Sequence, residues 1–478
     1  ISMSETSKKV VTRFAPSPTG FLHVGGIRTA LYAWFLARKD NGTFILRIDD
    51  TDKAREVPGS REHIVKALTW LGFTWDFGPD KQGPWGSNVQ SERLDIYKKY
   101  AQKLVDKGLA YPDPFTEEEV EGFRKKAEEQ KQAFLFRNHR PETFEVWDGK
   151  KPLRFKVPEL KRYEWHDEVF GDLSAGIEAL DDFILIKGDG YPTYNFCHIV
   201  DDVEMQITHI VRSQEFISST PKFLSLYQAL DIVPPKFITL PPILGDKGGK
   251  KVGKRDGAKD VLDYQKEGYL PAALINFLAF IGWNPGGEKE IYSVQELIEA
   301  FSIDRIQKAG ARFNPEKLDW MNKEHIKLLP LEESYKSMLS YFEAENLNLE
   351  IHARFERLLP TAYDRMNTYS DLYREYKEGE YGYITEKPVF DVNKIVWKQD
   401  SLENAQKHLQ VVKEKLEQIP EINWTPEIIK EAVWGYAEEV GRGNVLWPLR
   451  YVLSGKDKSP DPFTLAFVLG KRETLTRI

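Results

Sequence analysis

Apolar positions in the first part of the chain follow two different periods. Residues 9–14 (KVVTRF) read as a short strand, and the Pro-, Ser-, Thr- and Gly-bearing stretch Ala15 to Gly20 has the chemistry of a turn. Ile27, Ala30, Leu31, Trp34 and Phe35 then recur at helical spacing, which predicts a helix starting near Gly25 and broken at Asn41-Gly42. Phe44, Leu46 and Ile48 alternate as a second strand that runs into Asp49, Asp50 and Asp52, and Ile64, Ala67, Leu68 and Leu71 predict a second helix. Strand, helix, strand, helix is the rhythm of a parallel α/β sheet, whose ligands bind at the carboxyl ends of its strands.

The rhythm breaks after that. Phe115 to Gln132 is charged and helical, mixed strands follow up to Ile186, and this stretch reads as an inserted domain. The α/β signal returns with DDFILIK (181–187) and QITHIVR (206–212). A Pro-rich run, Val233 to Pro242, leads into a Gly/Lys-rich loop from Gly245 to Lys259. Beyond about Pro271 the pattern is helical, including Leu402 to Leu416 and a helix opened by Thr425-Pro426, a cap and first-turn pair. There are no internal repeats.

Composition narrows the class. A chain of 478 residues suggests roughly three domains, and 41% hydrophobic with 29% charged residues is material for packed cores rather than disorder. The longest apolar runs, such as Ala272 to Ile281, are too short and interrupted to cross a bilayer. No signal-type stretch opens the sequence, Met3 is the expected natural start after Ile1 and Ser2, and a cytoplasmic protein is expected. The single cysteine, Cys197, rules out an internal disulfide and a multi-cysteine zinc site; it reads as a small buried hydrophobe in a reducing compartment. A net charge of −7 argues against nonspecific nucleic-acid binding but leaves room for a local basic patch.

Two segments carry chemistry. In Pro16 to Gly26 (PSPTGFLHVGG) a strand gives way to a glycine-bearing turn and a helix start, where backbone N–H groups and the helix dipole favour a phosphate; His23 could donate to phosphate oxygens. Read alone, a plain tight turn fits these residues as well. In Gly245 to Arg255 (GDKGGKKVGKR) five of the last nine residues are basic and three are glycine, which suits a loop closing over a triphosphate. Composition alone would also allow a solvated linker.

Together the two segments resemble the signatures of the class I aminoacyl-tRNA synthetases, and within them the bacterial glutamyl-tRNA synthetases. His23-Val24-Gly25-Gly26 stands for His-Ile-Gly-His, and Lys251-Val252-Gly253-Lys254-Arg255 for Lys-Met-Ser-Lys-Ser. RIDDTD (47–52), DGYPTYNF (189–196) and THIVRSQE (208–215) lie between them as similar blocks in the family order. The resemblance implies an α/β fold: a Rossmann-type catalytic domain split by an acceptor-stem insertion, followed by all-α stem-contact and anticodon-binding domains. The expected division is 1–105 and 189–260 for the catalytic halves, 106–188 for the insertion, 261–330 for the stem-contact domain and 331–478 for the anticodon-binding region.

The same resemblance implies roles. Arg13 and Tyr194 would hold one carboxylate of L-glutamate and Arg212 the other; Ser17 and Asp49 would hold its amino group, and His198 would line the pocket. His23, Gly25, Gly26, Glu215, Lys251, Lys254 and Arg255 fall at ATP-contacting positions, with His23, Lys251 and Lys254 taken as catalytic. ATP with Mg²⁺ and tRNA-Glu are the implied co-substrates, tRNA being needed for the first step as well, and a monomer without membrane contact is the expected state. Arg365, within YDRMNTY (363–369), is the candidate reader of an anticodon base. Gly253 replaces the usual serine, Asp49 stands where glutamate is common, and Tyr111 to Phe115 carries none of the zinc-binding cysteines of many relatives, so no zinc is expected. Four rivals fit less well. A small nucleotidyltransferase needs no long helical tail, the glutaminyl relative should end in a β-barrel, the truncated relative that glutamylates a modified tRNA base lacks this tail, and a tRNA-binding protein without catalysis need not keep His23, Lys254, Arg13 and Arg212.

Overall fold

A computed structural model describes residues 9–246, 249–253 and 259–478. Strand β1 (Val11–Phe14), helix α1 (Val24–Lys39), strand β2 (Thr43–Leu46) and helix α2 (Ser60–Leu71) follow in the order that the hydrophobic pattern predicts. β1 and β2 are parallel, in register from Val11↔Thr43 to Phe14↔Leu46. The chain can turn between α1 and β2 because Asn41 takes φ +49° and Gly42 has no side chain; a Cβ there would lie 2.2 Å from the Val10 carbonyl oxygen. Ile64, Ala67, Leu68 and Leu71 are the apolar positions that α2 buries.

The alternation of Phe44, Leu46 and Ile48 does not mark a solvent face. Ile45 between them is as buried as they are, and even Arg47 is 0% exposed, because β2 is a parallel strand covered on both sides. α1 is likewise buried nearly all round, from Val24 to Ala37, rather than amphipathic.

Helix α3 (Leu94–Asp106) leads to β3 (Ala110–Pro112), α4 (Glu117–Glu129), β4 (Leu153–Phe155), β5 (Tyr163–Asp167), β6 (Gly171–Ala175) and β7 (Ile184–Ile186). α4 is capped by Thr116 and buries none of its residues, as its run of charges dictates. β3, β4 and β7 form an antiparallel sheet of their own. The β5–β6 hairpin does not stay with them: Asp167 of β5 pairs in parallel with Phe237, so the hairpin extends the sheet that follows.

That sheet is built by helix α5 (Tyr194–Glu204), strand β8 (His209–Ser213), helix α6 (Thr220–Ala229) and strand β9 (Lys236–Leu240), with β8 and β9 parallel. It meets the first strand pair where the Thr208 N–H donates to the Val11 carbonyl (2.9 Å) and the Val11 N–H to Thr208 Oγ1 (2.9 Å). The carboxyl ends of β1 and β8 therefore open on the same side as the N-termini of α1 and α5. Strand β10 (Ile243–Leu244), helix α7 (Val261–Lys266) and helix α8 (Pro271–Ala279) follow. Tyr32 of α1 donates its hydroxyl to the carbonyls of Ala279 (2.9 Å) and Ile281 (3.1 Å) at the end of α8.

The chain divides into two compact units, one running to residue 266 and again over 271–318, the other comprising 267–270 and 319–478. The second is helical, with Thr425 capping the helix Pro426–Val440 as the sequence predicts, and its core gathers Met338, Phe355, Leu359, Val412, Val433 and Leu449. Among the described residues no helix is long and apolar enough to cross a membrane.

Candidate active site

The turn after β1 ends on His23, which caps α1. Its Nδ1 accepts the Gly25 N–H (3.1 Å), so in the neutral ring Nε2 carries the proton and remains a donor. Gly25 allows the cap: a Cβ there would lie 3.0 Å from the His23 ring. Burial, and then the charge of Lys251, lower the His23 pKa and keep the ring neutral. His23, Gly25 and Gly26 stand on the wall of a cavity of about 570 Å³ together with Arg13, Ser17, Tyr194, Arg212, Glu215 and Lys251. Lys251 Nζ and Glu215 Oε1 pair at 2.6 Å, both of them largely exposed.

Arg13 and Arg212 reach this cavity in opposite electrostatic states. Arg13 sends Nε to Asp202 Oδ1 (2.9 Å) and Nη2 to Asp202 Oδ2 (2.9 Å), a two-pronged grip. Arg47 joins the same carboxylate through Nη1 (2.8 Å) and holds Asp49 through Nε (2.8 Å). Burial alone would raise the pKa of Asp202, but Arg13 and then Arg47 hold it well below the usual carboxylate range. Asp201, 3.9 Å from Arg47 and paired with Arg93 at 2.7 Å, extends the group, so that three arginines face three aspartates and the network is neutral.

Arg212, 7% exposed, has no such partner. Its Nη2 donates to Thr220 Oγ1 (2.8 Å), its Nε is buried without an acceptor, and the Phe237 ring lies 4.4 Å away. Burial lowers its pKa to about 10, still charged at neutrality. An unneutralised guanidinium inside a cavity is a receptor for an anion.

Asp49 opens on a neighbouring cavity of about 550 Å³, which shares Ser17 and Tyr194 with the first and adds Asp52, Arg55 and Lys187. Burial pushes the Asp49 carboxyl up to about 6 against the pull of Arg47. His198 lines neither cavity; it is 2% exposed and stacks behind Tyr194 with ring centroids 4.4 Å apart. Its Nδ1 lies 2.6 Å from the Tyr194 carbonyl, which can only accept, so Nδ1 bears the proton; burial takes its pKa down to about 3. Lys254 and Arg255 lie outside the described residues. Arg365 belongs to the second unit, where it donates to Glu380 (3.2 Å) and lines a cavity of about 290 Å³. Among the described residues no three His, Cys, Asp or Glu side chains converge as a metal site would require.

Arg47, which opens the RIDDTD block, and Asp202, outside every block, are functional candidates to which the sequence reading assigns no role. Asp202 falls on the stripe of Tyr194 and His198, four residues apart each time along α5, and Arg47 interrupts an apolar strand; both signals are visible once the helix and strand are known.

Residues 9–320 match the family described as "tRNA synthetases class I (E and Q), catalytic domain", and residues 331–478 match "Anticodon binding domain". A glutamate–tRNA ligase of Clostridium botulinum is 42% identical across 99% of this chain and 98% of its own length. The glutamate–tRNA ligase of Clostridium kluyveri is 40% identical across 98% and 97%. A crystal structure of a glutamate tRNA ligase from Elizabethkingia meningosepticum in complex with its amino acid superposes with a TM-score of 0.83 at 35% identity, covering 98% of both chains. The split α/β sheet with its site at the strand ends, the helical second unit and these full-length likenesses agree, and the chain belongs to the class I tRNA synthetases of the E and Q type.

Proposed function

We propose that this chain is a glutamate–tRNA ligase that binds L-glutamate and ATP side by side in the 570 Å³ cavity and esterifies the 3′-terminal adenosine of tRNA-Glu. The observation that carries this reading is the unpaired charge of Arg212. Glutamate carries one net negative charge at neutral pH and glutamine none. With Arg13 neutralised by Asp202, the Arg212 guanidinium takes the carboxylate that tells the two apart. Arg13 and Tyr194 take the other carboxylate, Ser17 and Asp49 the amino group, and His198 fixes Tyr194 from behind.

The reaction then needs positioning rather than a covalent nucleophile on the protein. An oxygen of the α-carboxylate attacks the α-phosphorus of ATP, the bond to the β-phosphate oxygen breaks, and pyrophosphate leaves. His23 Nε2–H and Lys251, with Lys254 and Arg255 of the same loop, meet the negative charge that develops on the phosphates. Mg²⁺ enters with the triphosphate and supplies further charge neutralisation. The 2′-hydroxyl of the terminal adenosine then attacks the acyl carbon, its proton is lost, and AMP departs. The helical residues 331–478 supply the anticodon contacts that select the tRNA. Pyrophosphate exchange into ATP, measured with glutamate or glutamine in the presence of tRNA, tests the reading. Exchange with glutamate alone is expected, and exchange with glutamine at a comparable rate would refute it. Charging both tRNA-Glu and tRNA-Gln with labelled glutamate then fixes the tRNA range.

A further inference from the structure

Eight arginines of this chain are buried among the described residues, and six of them are paired with carboxylates: Arg13, Arg47, Arg93, Arg154, Arg354 and Arg477. The two without one are Arg212 and Arg28, and both stand on the wall of the same cavity. Arg28 lies on α1 just past the His23 turn, 4% exposed, in a part of the wall that it forms with Gly25, Gly26, Thr29, Pro242 and Ile243. Its Nη1 donates to the Ile281 carbonyl (3.1 Å), its Nη2 to the Pro241 carbonyl, and its Nε is buried without a partner.

The two carbonyls account for where the side chain sits. Ile281 follows the end of α8 and Pro241 follows β9, so the guanidinium ties three segments together. They do not account for its charge. A neutral amide pair in the same place would bond as many carbonyls without the cost of burying a cation. Burial presses the Arg28 pKa down, against a smaller opposing effect of the Tyr32 hydroxyl, and no carboxylate offsets it. An unneutralised cation makes sense where the ligand brings the balancing charge, and ATP, the nucleotide proposed above for this cavity, is a polyanion.

We propose that Arg28 is a further ATP-binding residue, whose charge is balanced by the nucleotide and whose hold on Pro241 sets the Pro241 to Ile243 wall against it. The proposal rests on the cavity being the glutamate and ATP site. Two substitutions separate charge from bonding: Arg28→Gln keeps amide donors and loses the charge, and Arg28→Lys keeps the charge and loses the fork. Binding of a non-hydrolysable ATP analogue by calorimetry, KM for ATP and glutamate in tRNA-dependent exchange, and thermal midpoints would be measured for both variants and for the unaltered protein. Arg28→Gln should weaken nucleotide binding and raise KM for ATP by about tenfold or more, with KM for glutamate changed less than about twofold. Arg28→Lys should stay within about threefold of the unaltered protein in nucleotide binding while its thermal midpoint falls with the lost carbonyl bonds.

Nucleotide binding by Arg28→Gln equal to that of the unaltered protein would overturn the proposal, and so would equal weakening in both variants, which would mark a carbonyl cap and nothing more. Should Arg28→Gln fail to fold, Arg28→Lys decides alone, since nucleotide binding that falls together with stability would sink it. The unaltered protein lacking glutamate-dependent exchange while still binding the analogue would count against the proposed reaction, and the binding arm would still judge Arg28.

Discussion

Replacing Arg212 by methionine should separate activity from stability in a way that replacing Arg13 cannot. In the free protein Arg212 has no carboxylate to lose; the hydroxyl of Thr220 keeps its own bond to the Phe216 carbonyl (2.8 Å), and a thioether packs well against Phe237 and Phe223. Removing a buried, unneutralised cation should therefore leave the thermal midpoint unchanged or raise it. With substrate bound, the same change breaks a buried guanidinium–carboxylate pair, a loss of about 3–5 kcal/mol. At about 1.4 kcal/mol per decade, kcat/KM for glutamate should fall roughly 10²- to 10³-fold or more. Arg13→Met is the contrast. It removes both 2.9 Å bonds to Asp202 and leaves that buried carboxylate with Arg47 alone, so stability should fall by about 3–5 kcal/mol along with activity. Thermal denaturation and glutamate-dependent pyrophosphate exchange at saturating ATP and tRNA measure both quantities. If Arg212→Met lost stability as Arg13→Met does, or kept its kcat/KM for glutamate, the claim that Arg212 awaits the substrate's charge would be wrong.

Three further outcomes follow from the site. Lys254→Ala should slow activation about a hundredfold or more with KM for glutamate nearly unchanged, and an unaltered exchange rate would remove that loop from the mechanism. Because burial sets the Asp49 carboxyl near 6, its anionic form is lost as pH falls through that value, so KM for glutamate should climb below about pH 6; Asp49→Asn should flatten that limb of the profile. Arg365→Gln should spare glutamate activation at saturating cognate tRNA. By analogy with base readout in DNA, it should shrink the preference for tRNA-Glu over tRNA-Gln by about 1–3 kcal/mol, and an unchanged charging ratio would return Arg365 to a plain pairing with Glu380.

What the sequence disclosed depended on the range of the forces involved. Helix α2 and the cap at Thr425 could be read directly, since a helical stripe and a capping hydroxyl are set within a few residues. β2 was legible as a strand, but its covering on both faces is a property of the sheet and was not. The motif residues of the first turn, β1 and β8 do converge on one cavity, as their blocks imply, whereas His198 stands behind Tyr194 rather than on the wall. Asp202, the carboxylate that Arg13 and Arg47 share, lies 189 residues from the first and 155 from the second, so no local pattern could assign it. Arg28 did leave a trace, as a lone charge among buried apolar residues of α1, but only the carbonyls of Pro241 and Ile281 give that trace a meaning.

The linked carboxylates and guanidiniums at the foot of the cavity also constrain how such a protein can change over generations. Arg13, Asp202, Arg47 and Asp49 form a linked chain in which any one change that removes a charge strands a buried partner, so a lineage could lose one of these charges only by passing through a crippled intermediate or by changing two at once. Arg212 stands outside that linkage. A single substitution there alters which side chain is welcomed without disturbing what holds the sheet and helix together. Selection for a new amino acid should accordingly enrich changes at Arg212 and its aromatic neighbours first, while positions 13, 47, 49 and 202 keep their charges or lose them in pairs.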